Sequence, residues 1–398
     1  MTIRKLGSKP GVISFLSSAI SIIIGLLFGY ALLLALDAGQ ATPAMGKMLT
    51  NGISIFGNLL YTSMPLIMTG LAVAFAYKTG LFNIGASGQF TLGALFALFL
   101  GLEFQVPWYL CLLAAAFGGA LWGFFPGIFK ALCNVNEVIT SIMFNWIGMN
   151  LVNLIILNRP QMIAHAWGET STDRTPNLLK YTDKLGDVIL PRIGLDKLTG
   201  YAYMNIGFII TIALAVLLWV ILNKTTFGYE LKACGLNRDA SRYAGINAKR
   251  NIVLSMMIAG AMAGLGGAMY YLSGGVQFVT LQEITAFGFN GICVALLANC
   301  NPIACIFSAI FISYINLGGY AIQSYGFATE ASDIVISVII YLAALSFFLR
   351  GVITRAFLRH DTTGADANAE PVLAADEPVE NQQDSSEPQT SEEGGANP

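Results

Sequence analysis

Long apolar runs recur along almost the whole chain, at residues 12–36, 53–77, 81–102, 107–129, 138–157, 203–222, 252–272 and 331–349. The hydrocarbon core of a bilayer takes about 20 apolar residues of helix to cross, and lipid tolerates only backbones that satisfy their own hydrogen bonds. The runs therefore specify an all-α polytopic membrane protein. Charge supports this: 11% of residues are Asp, Glu, Lys or Arg, against about 25% in soluble domains. Too few charges exist to clothe a water-facing surface.

Residues 284–320 form a stretch too long for one span. Asn299, Cys300, Asn301 and Pro302 interrupt it. Proline lacks an amide donor and disfavours helix at the residue before it. Two shorter helices around a turn are expected, giving about ten transmembrane helices, or eight with a pair of re-entrant half-helices.

The net charge of −2 conceals an asymmetry, since ten acidic residues and no Lys or Arg follow from Asp361 onward. The rest has 21 bases against 13 acids. The bases lie between apolar runs, as topology signals do, and do not form a nucleic-acid surface. The first ten residues, the loop 223–251, the segment after 350 and the turns holding Lys78 and Lys130 all fall on one side. The positive-inside rule makes that side cytoplasmic, with both termini. The expected organisation is a cytoplasmic N-terminus (1–11), a transmembrane domain (12–349) and a disordered acidic cytoplasmic tail (350–398). The run 12–36 is too long for a signal-peptide core and reads as a retained first span. The external loop, 158–202, reads either as a docking surface or as a connector.

Several function classes lose their tools. No G-x-x-x-x-G-K-[ST] segment occurs, so nucleotide hydrolysis through a P-loop is absent from this chain. His165 and His360 are its two histidines and lie outside the spans, which removes a metal cluster or a Ser-His-Asp triad within the membrane. The six cysteines show no CxxC spacing and read as small apolar side chains. Asp37, Glu103, Glu137, Glu283, Glu330 and Asp333 sit at or near span ends. Ion-coupled carriers keep ionisable relays in mid-membrane. Energy for transport is expected from elsewhere.

Neutral polar residues do enter the spans. The stretch GLFNIGASGQF places Asn83 and Gln89 around a cluster of small residues. Bare amides in hydrocarbon are costly, so they either lock helices together or line a polar path. Asn145 and Asn153 share one face of the fifth span, while Asn150 points elsewhere. FGFNGICVALLA carries Asn290 between glycines and faintly echoes FNIG in the first half. In the cytoplasmic loop, Ala233, Leu236, Ala240, Tyr243 and Ala244 recur at helical spacing. A short amphipathic helix is expected there, docking into a partner's groove or resting on anionic lipid.

FNIGASGQ, FGYELKACGLNRDASRYAGIN and FGFNGICVALLANCNP together resemble the inner-membrane permeases of ATP-binding cassette importers. The branch is that of nucleosides and simple sugars, related to ribose and branched-chain amino acid permeases. The similarity covers most of residues 53–349. It implies a multi-pass protein of a prokaryotic plasma membrane, working with a second related permease, an ATPase subunit that binds the ATP, and an extracytoplasmic substrate-binding protein. It implies an ATPase-coupling role for Gly235, Asn237, Ala240, Tyr243, Ala244 and Gly245. It makes Asn83, Gln89, Asn145 and Asn290 translocation-path candidates. Many relatives have Asp in place of Asn290, which drops a charge here, and Gly-Arg in place of Ala298 and Asn299. The expected function is import of nucleosides or related simple sugars by alternating access. The competing reading is a stand-alone secondary carrier or channel for small polar solutes.

Overall fold

A computed structural model of the chain describes residues 10–280 and 282–345. The acidic tail and the extreme N-terminus lie outside the described residues. Among those described no strand forms; a single antiparallel bridge pairs Arg174 with Val279.

The helices follow the apolar runs closely. In chain order they are α1 (Pro10–Leu36), α2 (Ala38–Ser54), α3 (Phe56–Tyr77), α4 (Ala86–Phe104), α5 (Trp108–Cys133) and α6 (Glu137–Leu157). After the external loop, with its short α7 (Thr182–Leu185) and α8 (Leu195–Thr199), comes α9 (Gly207–Lys224). Then follow α10 (Thr226–Leu236), α11 (Arg238–Tyr243), α12 (Ala248–Tyr271), α13 (Ala286–Leu297), α14 (Pro302–Tyr320) and α15 (Thr329–Ala344). Eight segments among the described residues are long and apolar enough to cross a bilayer. The stretch 284–320 divides as expected: Pro302 opens α14, and Asn301 Oδ1 caps it by accepting from the Ile303 amide at 3.0 Å. With 12 residues, α13 spans about 18 Å at 1.5 Å per residue and is a half-helix.

Two local expectations need correcting. Helix α2 falls where the hydropathy profile gives only a connection. Asp37 caps it, accepting from the Gly39 and Gln40 amides, and its stripe of Ala41, Ala44, Met45 and Met48 is buried. Its other faces are polar or small, so no apolar run announces it. The cytoplasmic loop is not one helix but two. Asn237 adopts extended backbone (φ −155°) and ends α10; its Oδ1 then accepts from the Asp239 and Ala240 amides, starting α11. The expected stripe faces away from the body, where a partner or lipid would meet it: Leu236 is 89% exposed and Tyr243 95%. The buried positions are instead Gly228, Leu231, Cys234 and Ser241.

The core is built around α12. Lipid tails are as apolar as leucine, so helices associate in a bilayer mainly through close packing of small residues. Gly119 and Gly123 on α5 lie against Gly260 and Gly264 on α12. A Cβ at Gly119 would stand 2.2 Å from the Gly260 carbonyl oxygen, and one at Gly93 of α4 would stand 2.2 Å from the Gly264 Cα. Large apolar side chains elsewhere are exposed, as a surface facing lipid requires, among them Leu113 and Phe117 on α5 and Ile139 and Ile147 on α6.

The external loop is hydrogen-bonded to the segment that follows α12. Its segment at Thr175 pairs with the turn after α12: the Thr175 amide donates to the Phe278 carbonyl at 2.9 Å, and the Phe278 amide to Thr175 Oγ1 at 3.0 Å. Gln277 Nε2 bridges to Glu169 Oε2 and the Thr175 carbonyl. Outside the membrane, Arg174 beside Asp173 holds that carboxyl below its ordinary range.

Candidate translocation site

The FNIGASGQ segment joins α3 to α4. Helix α3 stops at Tyr77, and Gly80 takes a left-handed conformation (φ +72°) that glycine adopts without penalty. The next helical residue is Ala86, so residues 81–85 cross as irregular backbone. The expected span from 81 begins a full turn late for this reason. Irregular backbone at membrane depth must be satisfied by protein, and Asn145 supplies part of this, while Asn83 and Gln89 satisfy each other. Asn83 Nδ2 donates to Gln89 Oε1 at 2.9 Å, and Gln89 Nε2 donates back to Asn83 Oδ1 at 3.1 Å. Both side chains are fully buried. Asn145 reaches across from α6: its Oδ1 accepts from the Gly88 amide at 2.8 Å, and its Nδ2 donates to the Ile84 carbonyl at 3.0 Å. Asn150 turns outward and bonds the Trp146 carbonyl of its own helix.

The two echoing motifs touch. A Cβ at Gly288 would lie 2.2 Å from Ser87 Oγ, and Ser87 Oγ donates to the Thr285 carbonyl at 2.9 Å. Phe90, the last residue of the first motif, stacks on Phe287 with centroids 5.1 Å apart. The amide clamp thus backs directly onto α13.

On the other side of α13 lies a cavity of about 320 Å³. Its aromatic walls are Tyr270, Phe287 and Tyr320. Its polar groups include Thr62 from α3, Asn290 from α13, and Ser313 and Asn316 from α14. Tyr270 lies in the last turn of α12 and Thr285 precedes α13, so the cavity opens in the half opposite the basic loops. Of the four path candidates, Asn290 lines the cavity, whereas Asn83, Gln89 and Asn145 bond one another or backbone behind its wall. Ser313, Asn316 and Tyr320 escaped the sequence reading, although their spacing puts them on one face of a helix. Buried polar side chains among the described residues are Ser, Thr, Asn and Gln alone.

One consequence concerns the clamp itself. Replacing Asn83 with Ala strands the Gln89 amide, and an unsatisfied buried polar group costs about 1–3 kcal/mol. Asn83→Leu combined with Gln89→Leu removes both demands and should recover a good part of that loss. Thermal unfolding of the single and double variants in one detergent measures the coupling; additive losses would show that the two amides do not depend on each other.

Residues 55–344 match the family model described as branched-chain amino acid transport system / permease component. The chain belongs to that permease family. Similar proteins include the guanosine ABC transporter permease protein NupP of Bacillus subtilis, 38% identical over 350 residues, covering 84% of this chain and 94% of NupP. The nucleoside ABC transporter permease protein NupB of Lactococcus lactis is 36% identical over 348 residues, covering 85% and 92%. The glucose ABC transporter permease protein TsgB13 of Haloferax volcanii is 28% identical over 377 residues, covering 90% and 96%. No solved structure matches the chain. As a member of this family it is a multi-pass membrane permease.

Proposed function

We propose that this permease subunit imports nucleosides, driven by a separate ATP-binding cassette ATPase and supplied by an extracytoplasmic binding protein, in the plasma membrane. The near full-length similarity to two nucleoside permeases, at 36–38% identity, carries the reading. The cavity chemistry suits it. Aromatic faces at Tyr270, Phe287 and Tyr320 can stack on a base, while Thr62, Asn290, Ser313 and Asn316 can hydrogen-bond ribose hydroxyls. A neutral lining also fits a neutral solute, and here Asn290 in place of an acid matters: it both donates and accepts without a counter-ion.

Energy enters through the cytoplasmic loop in this reading. Ala240, Tyr243, Ala244 and Gly245 form an exposed surface, free to meet an ATPase subunit. Gly235, also exposed, packs against the Lys78–Gly80 turn. Asn237 fixes the angle between α10 and α11. Movement at the surface therefore acts on the segment that the Asn83–Gln89 clamp and Asn145 make rigid. The absence of buried charge among the described residues argues against an ion-coupled carrier working alone.

Uptake of radiolabelled guanosine in cells lacking the chain, complemented with the native chain or with Asn290→Ala, tests this. Uptake should depend on the chain and on ATP. Loss of a substrate hydrogen bond at Asn290 should lower uptake at limiting guanosine about fivefold to tenfold. Guanosine flux through the purified chain in liposomes without an ATPase would favour the carrier.

A further inference from the structure

A second cavity, about 450 Å³ in volume, opens between α4 and α6, away from the translocation cavity. Its walls are apolar: Leu95, Phe96 and Phe99 from α4, and Leu154 and Ile155 from α6. Its end is polar, made by Asn158 and Arg159. These two residues immediately follow the last residue of α6, Leu157. They therefore lie where the span leaves the hydrocarbon on the outer side, and the apolar walls descend from them towards the bilayer interior.

The polar end has unused donors. The Arg159 guanidinium sits over the Phe99 ring, 5.7 Å from its centroid, which holds it at the mouth of the groove. The ion pairs among the described residues are Lys130–Glu137 and Arg174–Asp173, so no carboxylate neutralises Arg159 there. Asn158 Nδ2 gives one hydrogen to the Leu154 carbonyl at 2.8 Å and has a second to offer. A greasy slot aligned with the membrane, ending in a cation and an amide at the interface, has the polarity of a phospholipid: tail inward, phosphate at the water boundary.

We propose that this groove binds one anionic phospholipid of the outer leaflet, its acyl chain against Phe96, Phe99 and Leu154 and its headgroup phosphate on Arg159 and Asn158. The apolar walls accept the tail of any bilayer lipid. The charge of Arg159 selects the anionic headgroup, because a guanidinium donates paired hydrogen bonds to phosphate and a choline in the headgroup cancels the charge it would meet.

Native mass spectrometry of the full-length permease, extracted with its co-purifying subunits into a neutral detergent, reads this directly. Palmitoyl-oleoyl phosphatidylglycerol and phosphatidylcholine are titrated separately. Wild type should hold phosphatidylglycerol about fivefold more tightly, the effect of one interfacial cation. Arg159→Gln should erase that preference and Arg159→Lys should keep most of it. Leu154→Trp, which fills the slot, should weaken both lipids. Equal binding of the two lipids by wild type, or an unchanged preference in Arg159→Gln, overturns the assignment. So does efficient cross-linking of a Leu154→Cys variant to another membrane protein in native membranes, which would make the groove a protein interface.

Discussion

Gly119→Leu should abolish the folded permease, with no monodisperse protein recovered from membranes. The reason is the identity of the neighbouring atoms. The new Cβ alone would lie 2.2 Å from the Gly260 carbonyl oxygen and 2.9 Å from the Gly264 Cα. Side chains can change rotamer to admit an extra group, but here backbone faces backbone. The helices must separate, and with them go the contacts of Gly123 with Met256 and of Gly93 with Gly264. Overpacking in a repackable core costs about 1–3 kcal/mol. A seam that cannot repack should lose more, a large part of a typical total of about 5–15 kcal/mol. Gly46→Ala is the control. Nothing lies within 4 Å of a Cβ there, and the residue is inside α2. Removing a helical glycine gains roughly 0.5–1 kcal/mol, so this variant should melt at or above wild type. Similar melting of Gly119→Leu and wild type, by thermal shift in detergent, would remove the glycine seam from the account of stability.

The contrast between those glycines illustrates what the sequence could and could not tell. Hydropathy located the spans because each depends on its own residues. Asn299–Pro302 marked the break between α13 and α14 for the same local reason: proline and a capping asparagine act within a turn. Helix α2 stayed hidden because its buried stripe is only Ala41, Ala44, Met45 and Met48, too narrow to raise a hydropathy average. The division of the cytoplasmic loop was legible in principle, since Asn237 followed by Asp239 is a helix-start signal, but the helical period across it drowned the signal. Which glycines form the seam, by contrast, depends on which helices meet. The clamp was half legible: amides in apolar surroundings demanded partners, yet their pairing with each other required the fold. The cavity was least legible, because Thr62, Asn290 and Asn316 come from three helices distant in sequence. The attachment of the external loop is similarly non-local, held by Glu169–Gln277 and Thr175–Phe278.

Gly235→Leu should reduce guanosine uptake to background while the chain still inserts and still assembles with an ATPase. Gly235 is where the proposed docking loop meets the body. A Cβ there would lie 2.4 Å from the Lys78 carbonyl oxygen and 3.0 Å from the Gly80 amide nitrogen. The leucine therefore wedges α10 off the turn without entering a helix seam. That turn runs straight into the irregular segment fixed by the Asn83–Gln89 pair and by Asn145, which in turn abuts α13 through Ser87 and Gly288. Gly245 gives the comparison. Its φ of +80° penalises any side chain, while nothing lies within 4 Å of a Cβ. Gly245→Ala costs about 1–2 kcal/mol of local strain and leaves the contact with Lys78 and Gly80 intact. A bulky residue at Gly245 adds an obstacle on the exposed surface that an ATPase would meet, and should uncouple hydrolysis from uptake. Reconstituted transporter, assayed for both ATP hydrolysis and guanosine uptake, separates these cases. Gly235→Leu should hydrolyse ATP without transporting, and Gly245→Ala should retain much of both activities. Normal uptake by Gly235→Leu would mean that the loop transmits nothing through the Gly80 turn, and that the clamp serves stability alone.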